Sequence, residues 1–250
     1  MSRIPKLILA LTAVILLSFA APVVNADTII IGAGANANKY PFGIGPLSNT
    51  GQDYTAGGTY QQVYSSSAFP GPITITQIAF ASSAEATDGP GIATYNFTIG
   101  LSSTAAAPGG LSSNFAANRG ADFLSVFSGP LAATITANNQ FDLLIDITPF
   151  TYDPSNGNLL LDVVINSPTQ FTGGSNLFFR SGFVFATTRA GNPSSGGTAT
   201  FVDDQSLITR FTTGQPAGAV PEPATIFLLG TGLASVAARV RKRRKSRELR

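Results

Sequence analysis

The sequence lacks three residue types that carry much of protein chemistry, since its 250 residues include no cysteine, no histidine and no tryptophan. Without cysteine there is neither a disulfide framework nor a thiol nucleophile. Without histidine the chain can build neither a Ser-His-Asp triad nor a histidine-ligated zinc site. Charge is also scarce, at 11% of residues against about 25% in an ordinary soluble domain. These absences exclude most familiar hydrolase chemistries, and we expect no cofactor.

Glycine and proline are abundant, with 26 and 16 residues respectively. This composition favours a turn-rich all-β body over a helical one. Residues 27–221 contain five basic and eleven acidic residues, which gives them a formal charge of −6. An acidic body has no electrostatic footprint for nucleic acid, so we expect no nucleic-acid partner.

The first 26 residues have the three parts of a secretory signal peptide. Arg3 and Lys6 precede an uncharged run over residues 7–21, which is short for a membrane span, and small residues follow it. The residues of the predicted cleavage site are Val24, Ala26 and Asp27. The pattern therefore predicts export by Sec-type machinery and cleavage after Ala26 by signal peptidase.

The C-terminal end combines a short motif, an apolar segment and a basic cluster. The motif is Pro221-Glu222-Pro223, and the segment 224–238 that follows it is uncharged. This segment can just span a membrane as a helix. A basic cluster follows, and by the positive-inside bias it stays in the cytoplasm while the body lies outside. Its residues include Arg239, Arg241, Lys242, Arg243, Arg244 and Lys245.

This order of motif, span and basic tail resembles the PEP-CTERM sorting signal of Gram-negative bacteria. The resemblance covers about 30 residues, 221–250. It implies that exosortase, a membrane-embedded transpeptidase-like enzyme, recognises Pro221, Glu222 and Pro223 and removes the tail. It also implies delivery to the cell surface or the exopolysaccharide matrix. An ordinary single-span anchor with a proline-rich stalk is the alternative.

Between the two ends, several segments alternate with the period of a β-strand. Residues 95–101 and 141–147 each place four large apolar side chains on one face, with Asp142 and Asp146 turned to water, and residues 159–165 repeat the pattern. The alternation over 73–80 changes phase at Gln77, which predicts either a bulge or a strand that is buried on both faces. Shorter strand candidates are 28–31, 59–64, 123–127, 183–187, 198–202 and 207–211.

These segments predict a single β-sandwich or jelly roll of about eight to ten strands over residues 27–211. An N-terminal signal helix and a C-terminal membrane-spanning helix would flank it. Residues 212–220 are expected to form a linker, because they include Gly214, Pro216 and Gly218 and no large aromatic residue. Stretches 60–80 and 150–163 resemble bodies of other PEP-CTERM proteins, for which no activity is implied.

Three constellations resemble ligand sites to different degrees. Gly32-Ala33-Gly34 resembles the start of a dinucleotide loop, but no third glycine follows at position 37. The segment 153–158 resembles a calcium loop but breaks the alternation of ligands, so a hairpin turn with Asn156-Gly157 as a type I′ turn is preferred. Asp203 and Asp204 are the densest carboxylate pair and the weak candidates for a metal site.

These observations favour an exported, non-catalytic surface or matrix protein that associates with exopolysaccharide. One rival is a carboxylate-dependent glycosidase, because aspartate and glutamate alone can act as acid, base and nucleophile. The other rival is an ice- or surface-adsorbing protein, which needs a flat, regularly spaced threonine array that Thr74 and Thr76 alone do not make.

Overall fold

A computed structural model describes residues 27–38, 40–42, 58–83, 95–131, 133, 136–168, 178–183, 186–194 and 196–214. The body is one compact unit with bounds Asn25–Gln215. The predicted signal helix over 1–26 and the predicted spanning helix over 224–238 lie outside the described residues. Within the described ranges, no helix has the length and apolar character that crossing a membrane requires.

The described residues form fourteen strands in three antiparallel sheets, which confirms the all-β prediction. In spatial order, the four-stranded sheet contains β1 (Thr28–Ile31), β14 (Thr209–Gly214), β4 (Ile73–Phe80) and β8 (Leu143–Tyr152). The six-stranded sheet contains β12 (Phe201–Asp203), β11 (Thr187–Asn192), β3 (Gly58–Tyr64), β9 (Asn158–Pro168), β6 (Tyr95–Thr104) and β7 (Leu124–Pro130). The small sheet contains β13 (Gln205–Leu207), β10 (Phe178–Phe183) and β2 (Asn36–Asn38), with β5 (Ser82–Ser83) also paired to β10. The helical elements are α1 (Phe115–Asn118) and the 3₁₀ turns Ser66–Ala68 and Pro154–Asn156.

The main core lies between the four-stranded and six-stranded sheets, as in a β-sandwich. Tyr64 on β3 meets Phe211 on β14 edge to face, with their ring centroids 5.0 Å apart. The predicted alternation is confirmed over 97–101, 143–147 and 159–165, since every second side chain is buried in this core. Those side chains are Phe97, Ile99, Leu101, Leu143, Ile145, Ile147, Leu159, Leu161, Val163 and Ile165.

A second, smaller core covers the outer face of the six-stranded sheet. The segment 105–123, which contains α1, packs Leu111 and Phe115 against Val63 and Leu160 of that sheet. Strand β3 is therefore buried along its whole length, because the core lies on one of its faces and this segment on the other.

The phase change at Gln77 produces the predicted bulge. The pairing of β4 with β8 shifts register between Ile75 and Gln77. The neighbouring strand β14 shifts register against β4 as well, between Thr212 and Thr213. An extra residue in one strand bends it and increases the local twist.

Several predicted strand limits are wrong. The number of strands exceeds eight to ten because the chain changes sheets within short runs. Residues 207–211 do not form one strand: Leu207 ends β13 in the small sheet, and Thr209 begins β14 in the four-stranded sheet. Residues 183–187 likewise contain the end of β10 and the start of β11. The predicted linker begins too early, because β14 continues through Gly214.

The hairpin prediction for residues 153–158 is also wrong. Strands β8 and β9 belong to different sheets, so this segment connects one sheet to the other. The turn is 3₁₀ rather than type I′, because the Asp153 side chain accepts a hydrogen bond from the N–H of Ser155 at 2.9 Å and Pro154 begins the turn. Gly157 then leaves it with a φ of 125°, which favours glycine.

Phe141, predicted to face the core, is only half-buried and precedes β8. Its ring lies against the guanidinium of Arg210, whose Cζ is 4.6 Å from the ring centroid. A cation–π contact at the surface thus replaces core packing at this position.

Candidate functional site

The chain enters and leaves the body at the same place. Strand β1, which follows Asp27, pairs with β14, and Thr28 lies opposite Thr212. The carbonyl oxygen of Asp27 accepts two hydrogen bonds from Thr213, one from its N–H at 2.8 Å and one from its Oγ1 at 3.1 Å. The first residue after the predicted signal-peptidase site is therefore joined directly to the last strand of the body.

The sequence of β14 explains why this strand is integral to the body. Thr209, Phe211 and Thr213 are buried, whereas the residues between them are half-buried, which is the alternation of a strand packed on one face. Strand β14 lies between β1 and β4 rather than at a sheet edge. Strand β14 therefore extends to within seven positions of Pro221.

Most predicted targeting residues lie outside the described residues. Asp27 is the exception, and its role is the carbonyl contact with Thr213. The others are Val24, Ala26, Pro221, Glu222, Pro223, Arg239, Arg241, Lys242, Arg243, Arg244 and Lys245.

The two candidate metal-binding carboxylates have separate partners. Asp203 forms a bidentate ion pair with Arg189, with its Oδ1 2.6 Å from Nε and its Oδ2 3.0 Å from Nη2. Asp204 accepts a hydrogen bond from the hydroxyl of Thr188 at 2.9 Å. Among the residues that the structure describes, no group of three or more acidic residues is placed to hold a metal ion.

Other carboxylates of the body also serve local structure. Asp142 accepts hydrogen bonds from the N–H and the hydroxyl of Thr136, at 2.9 and 2.7 Å. Partial burial acts to raise the pKa of Asp142, but hydrogen bonds to the carboxylate outweigh it and the pKa is lowered. Hydrogen bonds from Ser155 lower the pKa of Asp153. Asp146 accepts a hydrogen bond from Gln77 at 2.7 Å.

A polar cluster centred on Asp162 was not predicted from the sequence. This residue points outward from β9, but the segment 105–123 covers it and leaves it 1% exposed. Arg119 binds both of its carboxylate oxygens, at 2.9 and 3.0 Å. Gln61 also donates to Asp162 and accepts a hydrogen bond from Asn118 at 2.8 Å. The sequence feature that could have revealed this cluster is the aspartate within the otherwise apolar run 159–165.

Next to this cluster, the end of β6 and the segment after α1 form an open cleft of about 320 Å³. Asp122 anchors it, because its two carboxylate oxygens accept the N–H of Ser103 at 2.9 and 3.0 Å. A side chain at Gly120 would collide with the carbonyl oxygen of Ser103, so only glycine allows this close approach. The lining residues are Ser103, Thr104, Ala105, Gly120, Ala121, Asp122 and Asn156.

The outer face of the four-stranded sheet brings together more threonines than Thr74 and Thr76. Thr74 lies opposite Thr151, and Thr28 lies opposite Thr212. The hydroxyl of Thr76 donates to the carbonyl of Thr212 at 3.2 Å. The register shifts of β4 against its neighbours β14 and β8 break the regular spacing that an adsorbing array needs.

Comparison with known proteins identifies the C-terminal end. Residues 219–244 match the PEP-CTERM protein-sorting motif. The match implies an exported protein that is anchored in the membrane before exosortase processes it, in agreement with the predicted sorting signal. No curated protein and no solved structure matches the chain.

Proposed function

We propose that this protein is an exported, non-catalytic component of the cell surface or extracellular matrix whose β-rich body associates with exopolysaccharide. The observation that carries the proposal is the sorting motif at 219–244, which begins five positions after β14 ends. In this interpretation the body is the cargo, and the two ends of the chain are its delivery signals.

The position of the two junctions supports this division of roles. Only residues 215–220 separate β14 from Pro221, a reach of at most about 22 Å when extended. A short segment therefore links the last strand of the body to the residues that exosortase would recognise. Signal peptidase and the Sec-type export machinery would act earlier, at Asp27. Both cuts would leave the contact between Asp27 and Thr213 intact.

The uses of the carboxylates support a non-catalytic body. Asp162 and Asp203 are ion-paired with arginines, and Asp142, Asp146 and Asp204 accept hydrogen bonds from neighbouring side chains. A glycosidase needs two carboxyl groups that converge on one cleft. The cleft near Asn156 has a single carboxylate in its lining, that of Asp122.

The association with exopolysaccharide follows from the destination that the sorting signal implies. A host with an active exosortase should place the processed protein in the matrix fraction. A strain that lacks polysaccharide synthesis should release the same processed protein into the medium, because the matrix that retains it is missing. Equal retention in both strains would contradict the association with polysaccharide, while leaving exosortase processing unaffected.

Activity against the polysaccharide is a separate measurement on the same material. Purified matrix incubated with the processed protein should show no new reducing ends and no loss of chain length. Release of oligosaccharides, abolished by Asp122→Asn but not by Asp146→Asn, would instead establish a carboxylate-dependent glycosidase.

A further inference from the structure

The cleft between the end of β6, the segment 120–122 and Asn156 is a candidate ligand-binding site. Its volume of about 320 Å³ is at the lower end of the range of about 300–1,000 Å³ for such sites. It is shallow and open to solvent, so it fits one unit of a longer chain better than an enclosed ligand.

The cleft is rigidly built. Asp122 binds the N–H of Ser103, and the N–H of Gly120 donates to the hydroxyl of Ser102 at 3.2 Å. One residue before Gly120, Arg119 is fixed by its ion pair with Asp162. A site held by its own hydrogen bonds loses little conformational entropy when a ligand binds.

The polar groups of the cleft can both donate and accept hydrogen bonds. Asn156 is exposed, and its carboxamide makes no hydrogen bond within the described part of the chain, so it offers two donors and an acceptor. The hydroxyl of Thr104 accepts from the N–H of Ala106 at 3.1 Å and keeps its own hydrogen to donate. Asp122 adds carboxylate acceptors. Hydroxyl groups, which donate and accept at once, match this set.

Charge selects among ligands that carry hydroxyl groups. Arg119 is committed to Asp162, so Asp122 is the charged group among the residues that line the cleft. A single carboxylate is too few to hold a divalent cation and repels an anionic ligand. The formal charge of −6 over residues 27–221 also repels anionic ligands.

We propose that this cleft binds one neutral hexose unit of a polysaccharide, with Asp122 and Asn156 as the groups that contact its hydroxyls. This inference rests on the proposed association with exopolysaccharide, and it adds the site and the charge class of the sugar. Phe123, which follows Asp122, does not line the cleft, because the guanidinium of Arg119 lies over its ring at 4.8 Å from the centroid.

The test uses the full chain purified in detergent and titrated with two probes, a neutral β-linked glucose hexasaccharide and a hexauronate. The neutral probe should bind, and the hexauronate should bind at least about tenfold more weakly because of the carboxylate in the cleft. Asn156→Ala should weaken binding of the neutral probe about five- to tenfold, which is the effect of losing one or two hydrogen bonds.

A steric variant and its control complete the test. Ala121→Trp fills the cleft and should abolish binding, whereas Ala117→Trp, at an exposed position on α1 outside the cleft, should bind as the unaltered chain does. Unchanged binding by Ala121→Trp, or preference for the hexauronate, would overturn the proposal for this cleft. If the chain binds neither probe but is still retained by the polysaccharide matrix, the cleft assignment fails while the proposed function stands. Binding to neither probe together with release from the matrix contradicts both.

Discussion

The carbonyl oxygen of Asp27 accepts hydrogen bonds from both the N–H and the Oγ1 of Thr213. Asp27 is the first residue after the predicted signal-peptidase site, and Thr213 is eight positions before Pro221. The first and last strands of the body therefore close on each other at the point where both targeting segments join it.

A substitution can remove the hydrogen bond from the Thr213 hydroxyl while keeping the one from its N–H. Thr213→Val keeps the shape of the residue and the N–H donor but loses the hydroxyl, and Thr213 is buried. We expect the free energy of unfolding to fall by about 1 kcal/mol in chemical denaturation. Thr212→Val is the control. The hydroxyl of Thr212 is 3.4 Å from the Oε1 of Gln77 on the half-exposed face, so its loss should matter less. Equal effects of the two variants would argue against the contact.

The ion pair between the buried Asp162 and the partly exposed Arg119 should contribute more to stability than the Thr213 hydroxyl does. Arg119→Met leaves Asp162 buried without its counter-ion, and we expect a loss of about 2–3 kcal/mol in the free energy of unfolding. Asp146→Asn, which alters an exposed pair with Gln77, should cost less than about 0.5 kcal/mol. A loss for Arg119→Met no greater than that of the control would show that Gln61 alone satisfies Asp162.

The connection between the two sheets depends on the conformation of Gly157. A Cβ there would lie 2.6 Å from the carbonyl oxygen of Thr104, and the φ of 125° is unfavourable for other residues. We expect Gly157→Ala to lower the free energy of unfolding by about 1–3 kcal/mol. Gly71→Ala should be neutral, because a Cβ added at Gly71 would meet no atom of the surrounding structure within 4 Å. Thermal unfolding of the two variants, measured side by side, separates local strain from a general cost of replacing glycine.

Stability should fall at high pH because of buried tyrosines. Burial raises the pKa of Tyr60, Tyr64 and Tyr152 well above the ordinary value of about 10. Above that pH the unfolded chain releases these protons and the folded chain retains them, so the stability present below pH 10 is lost as the pH rises. The fully buried Tyr60 and Tyr64 should each contribute up to about 1.4 kcal/mol per pH unit to this loss. Denaturant titrations from neutral to alkaline pH measure the slope, which Tyr64→Phe should reduce. A stability independent of pH above 10 would contradict this explanation.

The sequence predicted the all-β class, the bulge at Gln77 and the faces of the longest strands, because strict alternation specifies which side of a strand is buried. It did not predict the sheet changes at Ile208 and over 153–158, because local turn chemistry does not reveal which sheet the next strand joins. Asp162 shows the same limit. Its outward direction followed from the period of the strand, but its burial depends on the distant segment 105–123.

The sorting motif and the cleft also differ in whether the sequence alone could predict them. The sorting motif was recognisable because its three parts are contiguous in the chain. The cleft was not, because its walls come from β6, from the segment after α1 and from the turn at Asn156. Only the fold brings these together.

If both ends of the chain are processed signals, the body between them is the delivered product. The intact mass of the exported protein from a host with an active exosortase, compared with that of the Glu222→Ala variant in the same cells, decides this point. The unaltered protein should begin at Asp27 and lack the segment 239–250. The variant should also begin at Asp27, but it should keep that segment and remain in the membrane. The melting temperature of the body should be the same in both proteins. An unaltered protein that retains the basic tail, or a Glu222→Ala variant that loses it, would contradict the assignment of both ends as processed signals.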